Sequence, residues 1–408
     1  MTSRRVAISL LVVFFALGAL VAVIIALTVG LWVGGRHGDL VPEPFRGVLV
    51  GSGDEIVVNQ ALDLIEDNYY RKLPPGELAN AAIAGAVKKL GDRFSTYFTP
   101  AEYKKFEQAQ ASSFTGIGVT VDRSKRGLVI RSVYKGSPAK EAGIEVGDQI
   151  VEANGRSLKG LTAEQSSQLV KGPAGTKVRL KVVRDGREKT IVATRRTISV
   201  PVVASLMKNV CGKKIGIVAL SSFTPGAHAE VYAALQKLKK KGAKAYIFDL
   251  RDNGGGLVDE AQLVASAFLT GGPIVTTRGR NVARRTLDAT GNPVIPKAPL
   301  VVLTNGGTAS ASEIVAGALQ DRGRATLVGE KTFGKGVFQQ VIELPNGGAL
   351  DITAGQYFTP KGRNLGGKGV AQGAGLKPDL LVKQPGEAKK DLALRAALAK
   401  LGGCAKVN

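Results

Sequence analysis

Histidine and cysteine are scarce in this chain of 408 residues, which contains two of each. His37 and His228 both lie away in sequence from the glycine-rich strand ends described below, so a serine hydrolase with a histidine base is not expected. Cys211 and Cys404 are too few for a disulfide framework or a thiolate metal site. They either form one disulfide that ties the tail to the core or remain two unpaired, buried thiols.

Acidic and aromatic residues are also few. The 33 acidic residues face 56 lysines and arginines, which gives a formal net charge of +23. Such a charge suits contact with an anionic membrane surface or cell-wall polymer. Nucleic acid is the other usual partner, but the basic residues are scattered and aromatic residues make up only 5% of the chain, so we expect no nucleic-acid partner.

The N-terminal segment is the one long apolar run. Residues 6–33 are uncharged and mostly apolar, and they exceed the roughly 20 residues needed to span a bilayer. The sequence therefore predicts a transmembrane helix within a membrane anchor at residues 1–38. A cleavable signal peptide is the alternative, but its apolar core usually has about 7–15 residues. Arg4 and Arg5 favour a cytoplasmic N-terminus, which predicts a single-pass protein of the cell membrane whose chain after Gly35 is extracytoplasmic, periplasmic or on the outer side.

Changes in periodicity divide the remaining chain. A linker at residues 39–53 precedes a small helical region at 54–112, where apolar residues recur at helical spacing. Residues 113–197 read as short strands separated by glycine, Asn-Gly and Asp-Gly turns, with one helix. Strands alternate with helices in residues 198–385, which indicates an α/β layer with largely parallel strands. Residues 386–408 form a predicted C-terminal helical tail.

The stretch "GEKTFGKG", residues 329–336, resembles a phosphate-binding loop, but the nucleotide interpretation fails. Gly336 replaces the Ser or Thr that would hold Mg²⁺, and the following residues alternate and turn like a hairpin. A phosphate loop needs a helix there. Lys335 is instead flanked by apolar residues and glycines, which suits a lysine whose pKa burial lowers until the neutral amine serves as a base.

Two loops at strand ends complete the candidate site. In "NGGTASASE", residues 305–313, Ser310 or Ser312 reaches a helix N-terminus, where the dipole and free amides stabilise a developing oxyanion. The same serines and Glu313 also fit a capping box, which would give them a purely structural role. In "FDLRDNGGGL", residues 248–257, the amides of Gly255 or Gly256 can approach a ligand closely, or the glycines form only a tight turn.

These motifs resemble those of the C-terminal processing, or tail-specific, serine proteases. The likeness rests on the two loops above, on "VGEKTFGKGVFQ", "QYFTPKGR" and "KPDLLV" after them, and on "LGDRFSTYFTPAEY" and "FTGIGV" before them. It covers roughly residues 54–382. The implied fold class is an α+β multidomain protein with an N-terminal transmembrane helix, a small helical region, a β-barrel-like PDZ domain and a crotonase-like α/β protease core.

The resemblance assigns a role to each catalytic candidate. It implies that Ser310 is the nucleophile, that Lys335 is its general base and that Gln339 orients the lysine. The amides of Ala311 and Gly255 would form the oxyanion hole, with Gly256 as the alternative to Gly255. Ser312 becomes structural, and no metal or other cofactor is needed.

The implied PDZ domain would bind the substrate tail. The amides of Gly116, Ile117 and Gly118 would hold a terminal carboxylate, and the strand that begins at Val119 would accept the peptide by β-augmentation. Lys171 stands where some relatives have an arginine that couples peptide binding to catalysis, and lysine lacks the bidentate fork of arginine.

Two further departures from the family pattern lie elsewhere. Gly254 replaces a proline that many relatives have, which loosens the oxyanion loop, and the segment before Pro378 is longer than usual.

The sequence therefore predicts a membrane-anchored serine endopeptidase that cuts proteins with free apolar C-termini through a Ser-Lys dyad and an acyl-enzyme. Its partners are such proteins and the membrane, and the resemblance allows a homodimer through the helical region. One alternative is a PDZ adaptor or chaperone with a silent protease core. A crotonase-like acyl-transfer enzyme is a third interpretation, which would require a coenzyme pocket that the Ser310 and Lys335 pair does not imply.

Overall fold

The computed structural model describes residues 53–110, 113–367, 373–384 and 390–403, with positions 20, 22 and 26. The chain divides into two compact units, Met1–Leu90 and Gly91–Asn408. The described part of the first unit contains helices α1 (Gly53–Asn68) and α2 (Glu77–Lys89). Helix α2 is rich in alanine, which favours a helix intrinsically, and it begins after Gly76 in the left-handed conformation.

The transmembrane helix in the predicted fold class has to be corrected. In the described parts of the chain, no helix combines the length and the apolar character that crossing a bilayer requires. Apart from positions 20, 22 and 26, the segment on which the prediction rested, residues 6–33, lies outside the described residues. The α+β character of the predicted fold class fits the structure.

The second unit begins with a strand and a helix that belong to the predicted helical region. Strand β1 (Thr96–Phe98) is followed by helix α3 (Pro100–Gln110). Strand β1 pairs antiparallel with residues 349–351, far along the chain. A run of three residues carries too little periodicity to predict such a pairing.

The strand-rich part forms a six-stranded sheet and a two-stranded sheet. Its elements are β2 (Ser113–Gly116), β3 (Val119–Ser124), β4 (Gly127–Val133), α4 (Pro138–Glu141), β5 (Gln149–Ala153), β6 (Arg156–Ser157), α5 (Ala163–Val170), β7 (Lys177–Arg184), β8 (Arg187–Thr194) and β9 (Arg196–Ser199). Helix α5 is the predicted one, and Thr162 and Gln165 form its capping box. Strand β3 pairs only with β4, so it is an edge of its sheet.

The remaining elements build two further sheets. They are β10 (Val203–Val210), β11 (Lys213–Leu220), α6 (Ala227–Lys240), β12 (Ala245–Asp249), α7 (Val258–Ser266), β13 (Pro273–Arg278), β14 (Arg285–Asp288), β15 (Leu300–Thr304), α8 (Ala311–Asp321), β16 (Thr326–Gly329), β17 (Val337–Glu343), β18 (Ala349–Phe358), β19 (Leu380–Leu381) and α9 (Leu392–Gly402). One sheet has the order β10-β11-β12-β15-β16-β19, and all of its pairs except β10 with β11 are parallel. The predicted parallel layer is therefore present.

Both faces of the parallel sheet are buried, which explains the continuous apolar runs of its central strands. Residues of α6, α7 and α8 pack on one face, and residues of α9 pack on the other. All five residues of β15 are buried. The turn that carries Ser310 thus follows a strand that is packed on both faces.

The last sheet contains the predicted hairpin. Strands β17 and β18 pair antiparallel around the turn at Asn346 and Gly347, and β18 also pairs with β1 and β13. The phosphate-loop interpretation is therefore excluded by topology, since a strand and not a helix follows Lys335. Cys211, between β10 and β11, is disulfide-bonded, and the one other cysteine of the sequence, Cys404, lies outside the described residues.

Candidate active site

Ser310 occupies a strained turn between β15 and α8. Its φ of 56° and ψ of −119° are values that residues other than glycine rarely adopt. Such strain persists only where the surrounding structure fixes it, and it is typical of functional sites. The turn places Ser310 at the N-terminus of α8 and at the edge of a cleft.

Ser312 points the other way. It is fully buried, and its hydroxyl donates a hydrogen bond of 2.9 Å to the backbone carbonyl of Asn253. Of the two candidate serines, only Ser310 lines the cleft. This geometry fits the implied division into a nucleophile and a structural serine.

Lys335 lies in the loop between β16 and β17, with its amine held by Gln339. Lys335 Nζ donates to Gln339 Oε1 at 2.6 Å, and Gln339 Nε2 donates to Thr353 Oγ1 at 3.1 Å. The amine also lies 5.2 Å from the ring centroid of Phe94. Thr353 therefore sets the orientation of Gln339, which in turn fixes the amine.

Burial lowers the pKa of the Lys335 amine below its usual value, because a poorly solvated site disfavours the ammonium ion. The carboxylates of Asp351, Asp92 and Glu313 oppose this effect, but desolvation is the larger cause. The result is the direction that a lysine base requires.

Ser310 and Lys335 line the same cleft, which has a volume of about 530 Å³. Its lining residues are Phe106, Ser222, Gly254, Gly255, Gly256, Leu257, Val258, Ser310, Lys335, Phe338, Gln339, Val341 and Asp351. Within the described residues, the Lys335 amine donates to Gln339 and not to Ser310. Catalytic hydrogen bonds are often long or poorly aligned until substrate binds, so a missing bond between these two side chains does not exclude proton transfer between them.

Glu313 is the functional residue that the sequence did not identify beyond a capping box. Its fully buried carboxylate accepts hydrogen bonds from the Ser310 amide at 3.0 Å and from the Lys335 amide at 2.9 Å, both at Oε2. Its other oxygen, Oε1, accepts from the hydroxyl of Thr332 and the amide of Gly334. One side chain thus fixes the backbone at both candidate catalytic residues.

Replacing Glu313 by glutamine should impair both stability and activity. An amide has one acceptor oxygen, so its NH₂ group would face two of the four donors that the carboxylate now binds. We expect a loss of about 2–4 kcal/mol in the free energy of unfolding, because buried donors would remain unpaired. We also expect kcat to fall about 100-fold, since misplaced groups lose their orientation.

Denaturant unfolding and peptidase assays measure these two effects. The control is Glu343→Gln, since Glu343 accepts one exposed hydrogen bond, from Tyr103. Equal effects of the two substitutions would contradict the positioning role of Glu313.

The glycine loop contacts the nucleophile turn directly. A Cβ on Gly255 would lie 2.8 Å from Ser310 Cβ and 2.9 Å from the Ala311 nitrogen, so only glycine fits. The amide of Gly255 donates to Asn253 Oδ1 at 2.9 Å. Within the described residues, neither the Gly256 amide nor the Ala311 amide donates a hydrogen bond, so these two donors have no partner in this conformation; Gly256 is exposed and Ala311 is fully buried.

Asn253 organises this loop and was not predicted. It is fully buried, its Nδ2 donates to the Leu220 carbonyl, and its own carbonyl accepts from the Ala309 amide and the Ser312 hydroxyl. Its side chain therefore connects the end of β11 to the loop, while its backbone holds the nucleophile turn. The sequence signal was only an asparagine before glycines, which also fits an ordinary turn.

All five predicted peptide-binding residues line one groove beside α5 and the edge strand β3. They are Gly116, Ile117, Gly118, Val119 and Lys171, and the other lining side chains are mainly apolar. Neither the Ile117 amide nor the Gly118 amide, both within the described residues, donates a hydrogen bond. The Lys171 ammonium lies 5.8 Å from the ring centroid of Phe114, so it is held at the groove.

Comparison with known proteins decides the family. The model of peptidase family S41 matches residues 214–382, and the PDZ domain model matches residues 129–184. The carboxy-terminal processing protease CtpA of Bacillus subtilis (strain 168) is 36% identical over 334 residues, 81% of this chain and 70% of that protein. This chain belongs to the carboxy-terminal processing proteases of family S41.

A second relative of this family agrees. The carboxyl-terminal-processing protease of Synechocystis sp. (strain ATCC 27184 / PCC 6803 / Kazusa) is 36% identical over 338 residues, 81% of this chain and 78% of that protein. A solved photosystem II D1 C-terminal processing protease is 28% identical with a TM-score of 0.49, and the match covers 86% of this chain and 97% of that one. The predicted family is confirmed, and the protein is a C-terminal processing serine peptidase with a PDZ domain.

Proposed function

We propose that this peptidase cleaves proteins with free apolar C-termini, using Ser310 as nucleophile and Lys335 as general base. The observation that carries the proposal is the shared cleft of Ser310 and the desolvated Lys335 amine, with one oxygen of Glu313 bound to both backbone amides. The deciding experiment compares hydrolysis of a tail-bearing protein by the wild type, Ser310→Ala and Lys335→Ala.

The proposed reaction has two halves. Neutral Lys335 accepts the proton of the Ser310 hydroxyl as Oγ attacks the peptide carbonyl, and the resulting ammonium donates that proton to the leaving amine. Water then attacks the acyl-enzyme: Lys335 takes a proton from the water and returns it to Ser310 Oγ as the acyl–Oγ bond breaks. Gln339 binds the amine through Oε1 and so limits the positions from which it can act.

The oxyanion of each tetrahedral intermediate would bind to backbone amides at the N-terminus of α8. The Ala311 amide donates no hydrogen bond to a described residue, and the helix dipole favours negative charge at this position. Gly255 can supply the second donor if its amide leaves Asn253 when substrate binds. The Gly256 amide supplies it without that change.

We further propose that the groove of the PDZ domain captures the substrate's C-terminus. The amides of Ile117 and Gly118, which donate no hydrogen bond to a described residue, suit a carboxylate, and the edge of β3 suits an added strand. The mainly apolar lining of the groove favours an apolar last side chain.

Amidation of the substrate tail should therefore raise KM about 10-fold and leave kcat nearly unchanged, because it removes a charged acceptor but not the cleaved bond. Lys171→Ala should raise KM by a smaller factor for the free acid, since the lysine stands at the groove. Steady-state cleavage of one unfolded protein, with its C-terminus either free or amidated, measures KM and kcat for both forms of the substrate. An amidated substrate cut with unchanged KM would exclude carboxylate recognition.

An extracytoplasmic location is proposed as well, supported by the disulfide at Cys211, since disulfides persist in oxidising compartments. Accessibility of the protein to a protease added to cells with an opened outer envelope and an intact cytoplasmic membrane tests it. A homodimer through the helical region is proposed on the exposed apolar side chains of α1, among them Val57 and Leu64. Sedimentation of the purified protein tests the dimer.

A further inference from the structure

Asp351 lies on the wall of the catalytic cleft, on strand β18. Its backbone neighbours across the sheet are Thr96 on β1 and Val341 on β17. Directly opposed residues point to the same face of a sheet, and Val341 lines the cleft together with Asp351. Ser310 and Lys335 line this same space, so the Asp351 carboxylate faces the place where a substrate would lie.

Asp351 is the only carboxylate among the described residues that line the cleft. The other two carboxylates that act on the pKa of Lys335 already accept hydrogen bonds from groups of the protein. Asp92 accepts from the hydroxyl of Ser95 and the amide of Phe94, and Glu313 accepts four hydrogen bonds. The Asp351 carboxylate interacts with Lys335 only through its charge, and no described residue donates a hydrogen bond to this carboxylate.

A half-buried carboxylate without a partner is costly in a folded protein, because it loses hydration and gains no hydrogen bond. Burial accordingly raises the pKa of Asp351. Lys335 does not neutralise this charge when it acts as a base, since the amine is then uncharged. A cation supplied by the substrate would satisfy the carboxylate in the catalytically competent state.

The walls near Asp351 suit one class of cation. Phe106, Phe338 and Val341 line the cleft with apolar surface, which can cover the aliphatic stem of a long side chain. Lysine and arginine combine such a stem with a charged end. A divalent metal ion would need further oxygen ligands, and Asp351 is the one carboxylate that the described lining offers.

We propose that Asp351 is a specificity-determining residue that binds a lysine or arginine side chain of the substrate next to the cleaved bond. The inference rests on the proposed function of the cleft. It adds a second requirement on the substrate: an apolar C-terminus for capture, and a basic residue near the site of cleavage.

The test uses matched peptides with one free apolar C-terminus. Each pair differs at one position within three residues of the cleaved bond, which carries either lysine or its uncharged analogue norleucine. For the wild type, lysine at one position should raise kcat/KM about 10-fold over norleucine, as expected for a charge-assisted hydrogen bond in a partly buried site. In Asp351→Asn, which keeps the shape and removes the charge, this ratio should fall to about one.

The ratio of kcat/KM between the lysine and norleucine peptides separates recognition of the substrate side chain by Asp351 from an effect of Asp351 on the base, Lys335. Asp351→Asn also removes a negative charge near Lys335, but that change acts equally on both peptides of a pair. Asp351→Lys should reverse the preference towards glutamate at the same position.

The remaining outcomes separate the two proposals. A wild-type ratio of one at every position, or a lysine preference that Asp351→Asn retains, would overturn the specificity role and leave the dyad intact. Failure of the wild type to cut any peptide would overturn both the proposed function and this inference.

Discussion

Ser310→Ala is expected to lower kcat for an unfolded protein with a free apolar C-terminus by a factor of about 10⁴ or more, because loss of a nucleophile removes the covalent route. Binding should survive, since the predicted tail-binding residues line a separate groove. The folded structure should also survive, because alanine removes only a hydroxyl from a half-buried position. Cleavage measured by gel or mass spectrometry, together with the free energy of unfolding, tests both statements.

Ser312→Ala is the matched control for this prediction. Ser312 lies two residues away and is more deeply buried. Its hydroxyl donates a hydrogen bond to the Asn253 carbonyl, and neither residue lines the cleft. Its loss should cost about 1 kcal/mol of stability and leave most of the activity. If Ser310→Ala retained full function towards tail-bearing proteins, the adaptor with a silent core would become the better account of this chain.

The sequence identified the site where chemistry and local pattern coincide. The local pattern placed Ser310 or Ser312 after an apolar strand and glycines, and Lys335 before a hairpin with the Asn346-Gly347 turn. The family resemblance then selected Ser310. Gln339 could be placed on the strand after Lys335 only because the family resemblance supplied its role. The structure then brought these three side chains to one cleft.

Other parts of the site depend on contacts that no local pattern encodes. Glu313 reads as a helix-capping residue, yet its decisive partners lie about twenty positions away, at Thr332, Gly334 and Lys335. Asp351 faces the cleft because of the register of β18, and a shift of one residue would turn it to the opposite face. The occupied amide of Gly255 likewise depends on the conformation of the Asn253 side chain.

Lys335→Ala should reduce kcat by about 10⁴, comparable to Ser310→Ala, because the two groups act as one unit and their effects do not add. The double variant should therefore be no less active than either single variant. Lys335→Arg should be equally inactive, since a guanidinium keeps its proton at accessible pH and offers no base. An active Lys335→Ala enzyme would exclude the lysine as general base and leave the nucleophile without an assigned partner.

The pH dependence of the wild type gives an independent check on Lys335. The base must be neutral, so kcat/KM should rise with pH as Lys335 loses its proton, and burial places this rise below the ordinary lysine value of 10.5.

The lowered pKa of Lys335 also makes the stability of the protein depend on pH. Below pH 10.5 the unfolded chain binds a proton at Lys335 more readily than the folded chain does. The contribution of Lys335 to the free energy of unfolding therefore decreases as the pH falls. Lys335→Met, which keeps most of the apolar stem, should therefore be more stable than the wild type at neutral pH, with a difference that shrinks as pH approaches 10.5. Thermal unfolding across this range measures the difference, and a pH-independent difference would mean that the Lys335 amine titrates alike in the folded and unfolded chains.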